Sequence, residues 1–220
     1  MTALVGYQLE LLLRSQRWLP PVLGYGLLMV LGISGGDEPL GGLAYAAGLL
    51  LPFTAWLVRC AVTVEPAAAR ACRVSAAGAV RVHRGALLTA VLTAAVLGLA
   101  ADTAVLVAGG ASKEGPVVVF GAGLGATAVA VLLGAAVGAL SSRPVLVSGP
   151  YGILASLAGS LLLLLVPGAP AHVVVRELVR GARHGGVDIA AGVLLPVAVS
   201  AVLAVAAAAV ACTVAGRRAE

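Results

Sequence analysis

EPAAARACRVSAAGAVRVHRG, Glu65 to Gly85, carries Arg70, Arg73, Arg81 and Arg84 between two long apolar runs. An arginine at the middle of a bilayer costs about 2.5–3.5 kcal/mol. A segment holding these four therefore belongs outside the hydrocarbon, and the runs on either side read as helices that cross it. The composition agrees. The chain has 220 residues, of which 61% are hydrophobic and 10% charged, against roughly 25% charged in a soluble domain. A soluble fold would need several helices with almost no polar face, which is the pattern of membrane spans.

Working outward, six spans are expected: Leu19 to Ser34, Leu40 to Val64, Gly85 to Ala108, Val117 to Leu140, Val147 to Val166, and Val187 to Ala215. Several approach the ~20 residues that cross a bilayer. Pro52 and Pro196 lie inside the second and sixth and are expected to kink them. The fold class is thus an all-α polytopic membrane protein, with one domain from residue 19 to residue 220 and an N-terminal segment over 1–18.

Orientation follows from the basic residues, thirteen arginines and Lys113. With the N-terminus inside, the inner segments hold ten of them: Arg14, Arg17, Arg59, Arg70, Arg73, Arg81, Arg84, Arg143, Arg217 and Arg218. The outer segments hold four: Lys113, Arg176, Arg180 and Arg183. The bias places both termini in the cytoplasm. The first seventeen residues are helix-like but too polar to span. Leu4, Tyr7 and Leu11 share one face and Glu10, Arg14 and Arg17 another, so they read as an interfacial helix with Trp18 at the boundary. The N-terminus does not read as a signal peptide.

Within the basic stretch Pro66 opens a short helix, Glu65 lies at its positive end, and Gly78 is a stop or hinge. Two roles compete for it: an orientation signal whose arginines meet anionic lipid, or a docking helix for a cytoplasmic partner. Stripes of small residues, Ala122, Ala126, Ala130, Gly134 and Gly138, then Ser200, Ala204, Ala208 and Cys212, predict close helix packing.

The N-terminal YQLELLLRSQRWLPPVLGY, the six spans and the helix beginning VEPAAARAC resemble permease subunits of ABC exporters of the ABC-2 type. The likeness is to the compact forms of high-GC Gram-positive bacteria, multi-pass proteins of the cell membrane. The resemblance implies a second permease chain, identical or homologous, and separate ATPase subunits carrying ATP and Mg. It makes residues 65–84 the coupling loop, with Glu65, Arg70, Arg73, Arg81 and Arg84 facing the ATPase. The chain itself offers no phosphate-binding loop, which needs G-x-x-x-x-G-K-[ST]; its one lysine lies in ASKEGP. It is therefore not expected to be an enzyme or to bind a cofactor, and no nucleic-acid partner is expected. A large outer domain, present in longer family members, is missing, which leaves the substrate open.

PGAPAHVVVRELVRGARHGG, residues 167–186, breaks the charge bias. Arg176, Arg180 and Arg183 take one side of a helix and Val174, Val175, Leu178 and Ala182 the other. It reads as an interfacial helix in lipid headgroups or, by the resemblance, as an outer gate between the last two spans. Glu177 and Arg180 are spaced as an i,i+3 pair. Asp102, late in the third span, either pairs with an outer arginine, lines a pathway, or is solvated at the interface. GISGG, Gly32 to Gly36, matches a nucleophile elbow, but that motif requires a strand before it and a helix after it. Here it ends a span, and Ser34 would need His172 or His184 within reach. Cys60, Cys72 and Cys212 form no ligand or disulfide pattern, and His83 reads as part of the basic loop. Two other function classes stay open: an ion-gradient-driven secondary transporter, and a non-transporting membrane scaffold or immunity protein.

Overall fold

The structure, a computed structural model, describes residues 2–142, 145 and 149–217. Arg143, Val147 and Arg218, used above for orientation and for the start of the fifth span, lie outside the described residues. The described residues form helices joined by short turns, without a strand: α1 (Thr2–Ser15), α2 (Leu19–Gly32), α3 (Pro39–Thr63), α4 (Ala67–Ala77), α5 (Ala79–Ala108), α6 (Pro116–Leu140), α7 (Gly149–Leu165), α8 (Pro170–His184), a π-helical turn (Ala190–Leu194) and α9 (Leu195–Arg217).

Four helical segments are long and apolar enough to cross a membrane: α3, α5, α6 and the unit Ala190–Arg217. A fifth is reached if α7 and α8, bent by 48° at their junction, count as one broken span. The first expected span resolves as α2, a helix of 14 residues. At 1.5 Å per residue it is about 21 Å long, short of the ~30 Å hydrocarbon core. The large apolar side chains left exposed, among them Leu23, Leu27 and Val30 on α2, Leu154 and Leu161 on α7, and Val202 and Val205 on α9, form the belt that a bilayer would cover.

α3 is the centre. Its buried positions fall on every side, from Leu40, Leu43 and Leu50 to Leu57 and Val58, and α2, α5, α6, α7 and α8 all pack on it. Burial in lipid supplies no hydrophobic drive between helices, so close backbone approach matters more. The predicted stripe on α6 provides it. A Cβ at Gly134 would stand 2.6 Å from the Leu51 carbonyl oxygen and from Thr54 Cβ, and one at Gly138 2.6 Å from Val58 Cβ. On α9, Ser200 and Cys212 of the second stripe are buried and the helix packs on α5 and α6. α2 is fastened to α3 by Tyr25, whose hydroxyl donates to the Ala46 carbonyl at 3.2 Å, and by Tyr45, which donates to Leu28 at 2.9 Å.

Three boundaries differ from expectation. α5 starts at Ala79, so Arg81 and Arg84 lie in its first two turns rather than in the loop helix. The Gly78 joint that separates the two helices has φ +83, a backbone conformation that side chains oppose. α1 ends at Ser15, and Gln16 takes φ +55, so Arg17 leaves the helix. Pro196 sits in the first turn of α9, after the π turn in which Leu195 N–H reaches back to Ala190 O. The wider turn absorbs the donor that proline lacks. Pro52, by contrast, is carried inside a continuous α3.

The elements sort into two ends. One holds α1, the ends of α3 and α6, α4, the start of α5 and the end of α9, tied together by contacts such as Thr89 to Val5 (3.4 Å), Gln8 to Ala61 (2.7 Å) and Arg59 to Ser141 (2.7 Å). The other holds the turns after α2 and α5, joined by Gly36 N–H to Ala108 O (2.9 Å) and Gly110 N–H to Asp37 O (2.8 Å), together with the turn after α8. Replacing Gly134 with Leu should lower stability by about 2 kcal/mol or more through overpacking. Gly121→Leu on the same helix, where a side chain meets open space, should stay within about 0.5 kcal/mol. Thermal unfolding of both variants in mild detergent checks the difference.

Candidate functional site

At the α4 end the expected coupling residues separate into different tasks. Glu65 does not stand free at the positive end of α4. Its carboxylate is gripped by the guanidinium of Arg73, with Nε donating to one oxygen at 2.6 Å and Nη2 to the other. The Glu65 side chain is 3% exposed and that of Arg73 19%. Arg73 Nη2 also donates to Gln8 Oε1 at 3.1 Å, and Gln8 Nε2 donates to the Ala61 carbonyl at 2.7 Å. The Tyr7 ring lies under the guanidinium, 4.8 Å from its centroid. Arg17 adds a bond from Nη1 to the Thr63 carbonyl at 2.8 Å.

The result is a clamp joining α1, the end of α3 and α4. The buried residues of α1 are accordingly Gln8 and Leu12, with Leu4 and Leu11 half-buried and Tyr7 exposed; Glu10 and Arg14 pair on the exposed side. Buried ion pairs hold only when their remaining polar atoms are satisfied, and here Gln8 supplies that.

The edge that α4 shows to its surroundings is therefore not arginine. Arg73 is turned inward and Arg70 is half-buried. The exposed positions are Ala68, Ala69, Ala71, Cys72, Ser75 and Ala76, a face of small side chains. Apart from the clamp, α4 rests on the start of α5. Arg81 and Arg84 are exposed beyond the Gly78 joint. His83, expected in the loop, is buried on α5, and neither ring nitrogen has a hydrogen-bond partner among the described residues.

At the opposite end α8 is amphipathic as its spacing predicts. Ala171, Val174, Leu178 and Gly181 are buried against α3 and α6, while Arg176, Arg180 and Arg183 are exposed. The i,i+3 pair forms, with Arg180 Nη2 2.5 Å from Glu177 Oε1. Glu177 also accepts the Asp188 N–H at 2.7 Å, and Asp188 accepts the Ala191 N–H at 3.0 Å, capping the turn that starts the last helix. A strap crosses to the turn after α5: Glu114 accepts the Gly186 N–H, and Lys113 donates to the Arg183 carbonyl at 2.5 Å. Gly185 and Gly186, at φ +75 and +77, make this turn.

Of the three settings open to Asp102, the structure removes one. It is 3% exposed and so is not solvated at the interface. Its described partner is Thr127, whose hydroxyl donates to Oδ2 at 2.8 Å, while Oδ1 has no partner among the described residues. Gly98, one turn earlier on α5, leaves room for Thr127 and Leu50 beside it. The cleft of about 340 Å³ around Ser34 is lined by residues that include Ile33, Asp37, Glu38, Tyr45 and Val105, and by no histidine; His172 Nδ1 lies 2.9 Å from the Leu164 carbonyl. A Ser–His pair therefore has no geometry here. Among the described residues no group of three or more His, Cys, Asp or Glu gathers as a metal site.

These observations define a class: an all-helical chain with several helices suited to a multi-pass membrane protein. The chain matches no family model, no curated protein and no solved structure.

Arg73→Met alone leaves the Glu65 carboxylate buried and unpaired, and should cost about 3–5 kcal/mol. The double variant Glu65→Gln with Arg73→Met should recover a large part of that loss. A double-mutant cycle read by thermal unfolding checks it; purely additive losses would show that the clamp is not a coupled unit.

Proposed function

We propose that this chain is the permease subunit of an ABC exporter, a six-span protein of the bacterial cell membrane with both termini in the cytoplasm. It would work beside a second permease chain and a separate ATPase carrying ATP and Mg. The observation that carries the proposal is the exposed face of α4. Small side chains on a helix that is clamped to its own membrane domain suit insertion into a groove on another protein. An orientation signal would need only charge. The likeness of the N-terminal segment and the Glu65 loop to ABC-2 permeases supports the same reading, as does the excess of arginine at the α4 end.

The mechanism follows from the connections. Closure of an ATPase dimer would displace α4. The Arg73–Glu65–Gln8 clamp would pass that displacement to α1 and to the end of α3, and the Gly78 joint would pass it to α5. At the far end the strap from Glu114 and Lys113 to residues 183–186 would have to part for a pathway to open outward. Arg176, Arg180 and Arg183 would flank that opening. The chain itself would hydrolyse nothing.

One observation favours a second reading. Asp102, buried between α5 and α6 with one oxygen that has no partner among the described residues, is the kind of intramembrane acid that ion-driven transporters use. Gentle purification from the native membrane separates the two. Wild type should bring down an ATPase, and Ala69→Trp or Cys72→Trp should lose it by about tenfold or more with unfolding temperature unchanged, since both positions are exposed. If no ATPase is recovered and Asp102→Asn abolishes ion-driven solute movement in vesicles, the second reading replaces the first.

A further inference from the structure

A groove runs between α5 and α9 in the half of the bundle nearest α4. Its walls are Leu87, Leu88 and Val91 on α5 and Ala204, Val205 and Ala208 on α9, and Ala135 and Ala139 of α6 form its floor. Cys212 closes the α9 side, and the volume is about 350 Å³. Small side chains on the floor and on α9 keep the gap open, and it extends about 12 Å along α9 at 1.5 Å per residue.

The rim at the α4 end is cationic. Arg84 lines the groove itself. Arg81, one turn earlier on the same face of α5, lines the adjoining cavity together with Gly216 of α9, and Arg217 follows it in the chain. All three arginines are exposed, and among the described residues none has an ion pair or hydrogen bond. No Asp or Glu lines either cavity. Among the described residues, Glu65 is committed to Arg73 and Glu10 to Arg14. Along α5 the face Arg81, Arg84, Leu88, Val91 thus passes from charge to hydrocarbon within about three turns.

We propose that this groove is a binding site for an anionic phospholipid of the leaflet on the α4 side. An acyl chain lies between α5 and α9, and the phosphate is held by Arg84 and Arg81, with Arg217 across the rim. A charged head and an apolar tail match the two ends of the groove in order, and basic pockets between membrane helices are a recognised means of holding acidic headgroups. The proposal does not depend on the transport reading. A lipid bridging α5 and α9 at this point would brace the helix that continues from α4 through Gly78.

The test is native mass spectrometry of the full chain reconstituted in nanodiscs of equal phosphatidylglycerol and phosphatidylcholine. Wild type should retain phosphatidylglycerol in preference to phosphatidylcholine. The double variant Arg81→Gln with Arg84→Gln should lose that preference by about tenfold or more, and Arg81→Lys with Arg84→Lys should keep most of it. Ala208→Phe, which fills the groove and leaves the arginines in place, should also lose retention, which separates a seated lipid from headgroup attraction at the surface. Inorganic phosphate should not compete. Equal retention of the two lipids by wild type, or unchanged retention in the Gln variant or in Ala208→Phe, would overturn the proposal. So would a second copy of the chain covering the groove with no lipid retained.

Discussion

The contact on which the bundle depends is the close approach of α3 and α6. Two apolar helices in lipid gain little by leaving it for each other, so they associate through shape. Gly134 and Gly138 bring the α6 backbone against Leu51, Thr54, Ala55 and Val58 of α3. With α6 seated there, α3 is enclosed, and the remaining helices take places around that pair. The two ends inherit their layout from this core. The end of α3 and the start of α5 come together at one side, and the turns after α2, α5 and α8 at the other.

What the ends do with charge follows a second constraint: an ionised group held away from water needs a partner. Glu65 and Arg73 satisfy each other and recruit Gln8. Glu177 holds Arg180 and the Asp188 backbone. Exposed arginines, among them Arg81, Arg84 and Arg217 at one end and Arg176 and Arg183 at the other, sit where headgroups and water would reach them. α4 is left with a small, neutral outer face on a charged inner anchor, the reverse of an arginine-edged helix.

Much of the frame was legible in the sequence. Apolar runs placed α3, α5 and α6 within a few residues, apart from the start of α5. The amphipathic spacing of residues 170–184 gave α8, and the glycine–alanine stripe gave the α6 contact. The bounds of the loop helix could be read from Pro66 and Gly78. The destinations of its charges could not. Arginine spacing says which residues share a helix face, but the partner of Arg73 on that side, Gln8, is 65 positions away. Gln8 in an otherwise apolar run, and Thr127 among small residues opposite Asp102, were the available signals. Each is a polar group in a setting that requires a partner. The first span, expected over Leu19 to Ser34, ends two residues sooner, at Gly32 before the glycine-rich turn. Three settings stayed open for Asp102 because its position along α5 was visible and its burial by α6 was not.

Cys72 is the exposed one of the three cysteines, at the centre of the α4 outer face, while Cys60 and Cys212 are buried. The most direct test of the account is therefore the reaction of this chain, expressed without an ATPase, with a membrane-impermeant maleimide. Labelling should occur at Cys72 in inverted vesicles and be absent in sealed right-side-out vesicles. Labelling from the outer side alone would put α4 on the other face of the membrane and contradict the proposed contact with a cytoplasmic ATPase.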